Sequence, residues 1–417
     1  MQIIFYNARI MTMNKKEPGA EAMLVNDGSI VFVGKKDEVL NLKQDDTVLV
    51  DLENKLVIPT FFDNNVQVYE MIEDVLKNAN KFKNLEFFDE KDENYENFAN
   101  FEIYKEEFLK LQEQFLSYGI TTIQELNITP VEFVFWKKMA DEKLLKIDVV
   151  GYVDMLSSKK IMDDNCRSYR KYKNHFRLGG YSLSLDGDLF EKKAWLLKPY
   201  KKEKGYCGYA ECFEEQLYWL LKTALEEKKQ LIVKATGDRS ITQFLEVFED
   251  AVKKEKVEDK YKPVILNAGL ISKKNIQKMK ELEIVPSFQI EDVVESDKEL
   301  KQILGFGRAK KYQPYNKIKK NDMQMLIQTK SKEIRNVFEI FKMLITSSKL
   351  HKKESVLTAE EAWNSLFVVA ADKVFDGEQK GTLESGKNAD FLVVDQDDNN
   401  FENAKIKVVY LKGEKIK

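Results

Sequence analysis

The hydrophobic rhythm of the chain changes twice. Residues 2 to 52 carry short apolar runs, IIFYNARIM, EAMLVNDG, SIVFVGK and TVLVDL, with Asn26-Asp27-Gly28 set as a hairpin turn between two of them. Such runs predict a small β unit of tight antiparallel strands. Short runs return near the other end, in Gly381 to Val394 and Ile406 to Gly413. Too few strands lie at either end to bury an apolar face alone, so both ends are expected to build one composite β-sandwich, residues 1–58 plus 379–417.

Between them, over residues 59–378, apolar runs alternate with stretches of helical spacing, the pattern of a parallel sheet with crossover helices. After a first strand near Phe61, the pattern predicts strands at Ile120 to Gln124, Ile147 to Val153, Tyr181 to Leu185, Gln230 to Ala235, Pro263 to Asn267, Ile284 to Gln289 and Met323 to Gln328. That number suits a closed (β/α)8 TIM barrel, and the fold class is α/β. Helices are predicted at Lys105 to Tyr118, Glu214 to Glu227, Ser240 to Lys254, Lys273 to Leu282, Lys332 to Leu344 and Thr358 to Asp372. In the last, Thr358 and Glu361 have capping-box spacing. From Tyr69 to Tyr104 the composition turns to Asp, Glu, Asn, Lys and Phe, which predicts a solvated loop without fixed ligand spacing. The same holds for DQDDNN from Asp395.

Lys and Arg (67) nearly balance Asp and Glu (70), a net charge of -3 that argues against a nucleic-acid surface. No apolar run reaches the roughly 20 residues of a membrane helix, and the N-terminus has no basic flank before an apolar core. Three cysteines, Cys166, Cys207 and Cys212, fit neither a disulfide framework nor a paired zinc site, so a reducing cytoplasm is expected. A small-molecule ligand and a homo-oligomer remain compatible with this composition. Histidine restricts the chemistry most, because His175 and His351 are the only two. His175 precedes the fourth barrel strand and His351 lies in a lysine-rich stretch, so both are read as surface residues.

The stretch Leu56 to Tyr69, LVIPTFFDNNVQVY, is an apolar strand whose far end turns polar. It resembles the first barrel strand of the amidohydrolase superfamily, where Pro-Gly-Phe-Ile-Asp-x-His-x-His supplies two metal ligands. Pro59, Phe61 and Asp63 match, whereas Asn65 and Gln67 stand at the histidine positions. Asn7 to Met13, Gly28 to Gly34, Gly119-Ile120-Thr121-Thr122 and Gly381-x-Leu383-x-x-Gly386-Lys387-x-Ala389-Asp390-Phe391 also resemble that superfamily, in particular the N-substituted formamide deformylase-like branch. The resemblance implies a metal centre at the carboxyl ends of the barrel strands. On the fourth strand, where many relatives carry a carboxylated lysine, it meets Ser182. On the fifth, His-Ala-x-Gly-Asp is replaced by Lys234-Ala235-Thr236-Gly237-Asp238. On the sixth, Glu-His-Ala becomes Leu266-Asn267-Ala268, and on the eighth Gly-Ser-Asp aligns with Ile327-Gln328-Thr329.

Carboxamides, a hydroxyl and an ammonium are poor substitutes for imidazoles and carboxylates around a divalent transition metal. The sequence therefore implies no metal and no cofactor. The expected ligand pocket is Asn65, Gln67, Ser182, Asp186, Lys234, Asn267 and Thr329, with Lys234 and Asp186 as candidate catalytic residues. Lys234 is expected inside the mouth, paired with an inward carboxylate such as Asp186 or awaiting an anion. Asp63 and Asp238 are read as structural hydrogen-bonding groups. Three functions stay open: an inactive homologue that binds a small ligand, an anion among the candidates, or a protein partner; a metal-independent hydrolase of non-peptide carbon-nitrogen bonds; and a regulatory or structural subunit of an active relative.

Overall fold

The computed structural model describes residues 1–78, 100–259, 261–346, 356–396, 401 and 403–417. Strands from both ends of the chain share one eight-stranded sheet. Its order runs Glu414–Lys415, Lys405–Leu411, Phe391–Asp395, Val48–Pro59, Gln2–Met11, Ala22–Asn26 and Ser29–Gly34, with Gly19–Ala20 added to Gln2–Met11. The two ends meet where Val48–Pro59 runs antiparallel to Phe391–Asp395, with Val57 opposite Val393. Phe5, Phe391 and Tyr410 pack there with ring centroids 4.6–5.0 Å apart. Alternation along Val48–Pro59 sends Val57 into the sheet's own core and Leu56 and Ile58 into the barrel's core. The sheet is thus tied to the barrel by one strand serving both. Gly119 lies where the two pack tightly: at φ +78 it would place a Cβ 2.6 Å from the Leu392 side chain.

Thr60 alone separates that strand from the first of eight parallel barrel strands. These are Phe61–Val66, Ile120–Ile128, Asp148–Asp154, Phe176–Ser184, Gln230–Lys234, Val264–Leu266, Val285–Gln289 and Leu326–Gln328, each beside the next in order. The seam between the last and the first is bridged by side chains. The Asn64 amide donates to the Ile327 carbonyl at 3.0 Å, and Gln124 donates to Asn64 at 2.6 Å. Phe62, Leu126, Val150, Tyr152, Ile232, Val264, Leu266, Val285 and Leu326 fill the interior.

The C-terminal helical segment closes the bottom. Thr358 and Glu361 form the predicted capping box at its start, but it is not one uniform helix: Ala359–Trp363 passes through a π-helical stretch, Asn364–Val369, into Ala370–Lys373. Two other predicted elements differ. Part of the expected loop after Tyr69 is helix Val68–Asn78, and the remainder, 79–99, lies outside the described residues. The helix expected from Lys332 starts at Val337 (Val337–Ile345), because residues 329–335 are held in a loop across the barrel mouth. Asn336 caps it by accepting from the Phe338 N–H at 2.9 Å.

Candidate functional site

The carboxyl ends of the barrel strands open into a cavity of about 430 Å³. Five of the sequence-predicted residues line it together: Asn65, Gln67, Ser182, Lys234 and Asn267. The other two, Asp186 and Thr329, do not line it. The mouth also receives Asn127 from the second strand, Gln289 from the seventh, Asp188, Phe190 and Glu191 from the loop after the fourth, and Lys330, Lys332 and Glu333 from the loop after the eighth. Sequence reasoning missed these. Gln289 was within reach, since it ends a predicted strand on the carboxyl side; Asn127 was not, because the apolar pattern stops before the strand does.

Backbone and side-chain partners fix the lining groups. Asn65 donates its amide to the Thr329 carbonyl at 3.3 Å, while Gln67 receives the Ser331 hydroxyl at 2.6 Å and donates to Glu70 at 2.5 Å. The Gln67 N–H also donates to the Ser331 carbonyl at 2.9 Å, so residues 329–335 are fastened to the first strand and its helix. Ser182 donates to the Tyr152 carbonyl at 3.2 Å and accepts the Asn127 N–H at 2.9 Å. The Asn267 side-chain oxygen accepts from Gln328 at 2.7 Å. At three of the positions where the family's motifs would place a metal ligand, the oxygen is therefore already engaged within the protein.

The Lys234 side chain shares the cavity lining with Ile232, in keeping with the alternation of their strand. Among the described residues it has no carboxylate within 4.0 Å. Lys332, by contrast, pairs with Glu70 at 2.9 Å and Asp74 at 3.0 Å, and Lys330 with Glu333 at 3.5 Å. The expected partnership of Lys234 with Asp186 is not formed, because Asp186 is spent elsewhere. Its carboxylate accepts the N–H groups of Thr236, Gly237 and Trp195, each at 2.8 Å, and the Ser240 hydroxyl at 2.7 Å. It caps helix Asp238–Lys254, as an acceptor at a helix N-terminus does. Gly237 allows this, since a Cβ there would lie 1.9 Å from the Trp195 carbonyl oxygen.

Asp238 accepts the Leu197 N–H at 2.8 Å. Asp63 accepts the Asn65 N–H at 3.3 Å and the Thr329 hydroxyl at 3.3 and 3.4 Å. Burial pushes Asp63 up to about 7. Burial does the same to Glu291, up to about 7, although Arg335 lies 3.0 Å from it. His175 sits at the opposite end of the barrel, 2.7 Å from Asp148, and His351 lies outside the described residues. All three cysteines are free. Among the described residues no group of three or more His, Cys, Asp or Glu side chains is placed to hold a metal ion. No described helix is long and apolar enough to cross a membrane.

A parallel eight-stranded barrel carrying a sheet built from both chain ends, with its cavity at the strands' carboxyl ends, is the architecture of the metal-dependent hydrolases. A model of the amidohydrolase family matches residues 90–414, and the chain belongs to that family. Among solved structures, a metal-dependent hydrolase from Pyrococcus furiosus superposes with a TM-score of 0.80 at 17% identity, covering 95% of this chain and 99% of that one. One from Pyrococcus horikoshii OT3 gives 0.80 at 18%, covering 95% and 98%. Triazine hydrolase from Arthobacter aurescens gives 0.66 at 13%, covering 100% and 94%. These likenesses concern the fold. Exoenzymes regulatory protein AepA of Pectobacterium carotovorum subsp. carotovorum is 42% identical over 62 residues, 15% of this chain and 13% of that protein. The match thus spans about an eighth of that relative's length.

Proposed function

We propose that this amidohydrolase-family chain has lost its metal centre and binds a small anionic ligand at the barrel mouth instead of hydrolysing one. The observation that carries the reading is Lys234, an ammonium placed in the cavity with no carboxylate within 4.0 Å among the described residues. A cation at a former ligand position repels a divalent metal. The neighbouring donors, carboxamide and hydroxyl oxygens already engaged with Gln328, Ser331, Tyr152 and Asn127, do not fit one either.

A metal-free hydrolysis by Lys234 and Asp186 gains no support from geometry in which Asp186 accepts four hydrogen bonds while capping a helix. The short stretch shared with a protein named as a regulator is compatible with a role other than turnover. Two measurements on the full chain test the reading. Mass spectrometry of protein purified without chelator should find no stoichiometric zinc, iron, nickel or manganese; near one equivalent of any of them overturns it. Thermal-shift screening of small carboxylates and phosphates should find stabilising anions whose effect disappears in Lys234→Ala.

A further inference from the structure

The groups around Lys234 have a common design. Each of several carboxamides has one end held by the protein and the other left facing the cavity. Asn65 spends its amide on the Thr329 carbonyl and Gln289 donates to Asp292 at 2.8 Å, so each presents a carbonyl oxygen. Asn267 spends its oxygen on Gln328 and presents its NH2 group. Asn127 has no side-chain partner among the described residues and presents both. These four amides stand in one cavity with an ammonium that has no carboxylate within 4.0 Å among the described residues. Lys330 and Lys332 are already paired with acids, and of the lining carboxylates Glu333 pairs with Lys330, Glu191 with Lys193 at 2.7 Å, and Asp188 accepts the Phe190 and Glu191 N–H groups.

We infer that the ligand is a polyhydroxylated monocarboxylate, an acid of the sugar-acid type. This deepens, and rests on, the anion-binding reading. Fixed amides offering acceptors at three places and donors at two, with Asn127 offering both, suit groups that both donate and accept, which hydroxyls do and alkyl chains do not. An alkyl acid would leave these partly buried polar ends without partners, a loss the corresponding hydroxylated acid avoids. One uncommitted cation matches one carboxylate, so a doubly charged phosphate group gains no second partner. Phe190 adds an apolar face at the rim against which the carbon skeleton can lie.

Asn127 provides the cleanest test. Its φ is +57, so Asn127→Gly removes the amide while keeping a backbone that tolerates the left-handed region, and no side-chain hydrogen bond within the described protein is lost. Calorimetric titration of the full chain with gluconate, hexanoate and 6-phosphogluconate should rank gluconate first, about tenfold tighter than hexanoate. Asn127→Gly should weaken gluconate about fivefold and leave hexanoate unchanged. Equal binding of gluconate and hexanoate, or tighter binding of the phosphate, overturns this inference and leaves the anion reading standing. Gluconate binding that survives Lys234→Met sinks the anion reading itself. Failure of all three acids to bind at about 10 mM overturns the hydroxy-acid assignment, and the broader anion screen with Lys234→Ala then decides whether the parent reading falls with it.

Discussion

The two ends of the barrel handle buried polarity in opposite ways. At the bottom, charges are paired and closed in. Arg177 meets Asp376 at 2.9 Å with both side chains only 3% exposed, and Tyr172 donates to the same carboxylate at 2.9 Å. Lys380 reaches Asp148 and the Thr122 hydroxyl, and His175 lies 2.7 Å from Asp148. Gln230 donates to the Lys262 and Lys373 carbonyls at 2.8 and 2.7 Å and accepts from Tyr152 at 2.8 Å. At the mouth several neutral amides keep one end unspent beside an ammonium with no carboxylate within 4.0 Å among the described residues, while the lining carboxylates are engaged locally, Asp188 with the Phe190 and Glu191 N–H groups and Glu191 with Lys193 at 2.7 Å. A finished ionic network stabilises a fold, whereas partly engaged groups facing a cavity await something from outside. Conserving charge at one end and leaving hydrogen-bonding capacity at the other separates structural from functional polarity within one barrel.

The sharpest way to break the comparison is to remove half of the bottom network. Asp376→Ala strands the Arg177 guanidinium in a buried site and should lower the unfolding free energy by about 3–5 kcal/mol in urea titrations. Replacing both partners, in Arg177→Met with Asp376→Leu, should recover much of that loss, since no charge is then left uncompensated. A loss below about 1 kcal/mol for the single variant would mean that the bottom is no more committed than the mouth.

The ends should also respond to pH with opposite sign. Burial alone would raise Asp148, but Lys380 and His175 reverse this and hold it well below the usual carboxylate range. The unfolded chain therefore binds that proton more tightly, and the stability Asp148 contributes is present above about pH 4 and lost as pH falls below it. Asp63 and Glu291 at the mouth are raised to about 7. There the folded chain keeps protons the unfolded chain has released, so their contribution is full below about pH 4 and is lost as pH rises through 7. Urea midpoints should decline between pH 5 and pH 7 and level off above about 8. Asp63→Asn should flatten the decline and be more stable than the parent at pH 8 by on the order of 1–2 kcal/mol. An unchanged slope in that variant would remove Asp63 as its source.

This division was only half legible in the sequence. The terminal sheet and the barrel could be read because apolar alternation and ordered motifs, from Asn7-Ala8-Arg9 to Gly381-x-Leu383, encode them over nearly the whole chain. Lys234, Asn65, Gln67, Ser182 and Asn267 could be gathered because a barrel places the carboxyl ends of its strands around one mouth. The rest depends on events that no local pattern records. The register of the first strand shifts between Asp63 and Val66, which lets Asn64 bridge the barrel seam while Asn65 lines the cavity next to it. Asp186 was placed near the mouth by its motif, but the fold of residues 186–195 over the next helix turned it into a cap. Lys332 looked like the start of a helix until Glu70 and Asp74, more than 250 residues away, captured it.

The smallest expected effect is the most discriminating. Lys234→Met keeps most of the side chain's apolar stem and removes only the ammonium. With no carboxylate within 4.0 Å among the described residues, the loss of that charge orphans no buried partner. The variant should therefore unfold within about 0.5 kcal/mol of the parent in urea without ligand, in contrast to the several kcal/mol expected at Asp376. A loss above about 2 kcal/mol would show that the ammonium is tied into the fold like its counterparts at the bottom. In that case the mouth would be a second structural network rather than a site, because a group held for binding is one whose removal the empty protein hardly feels.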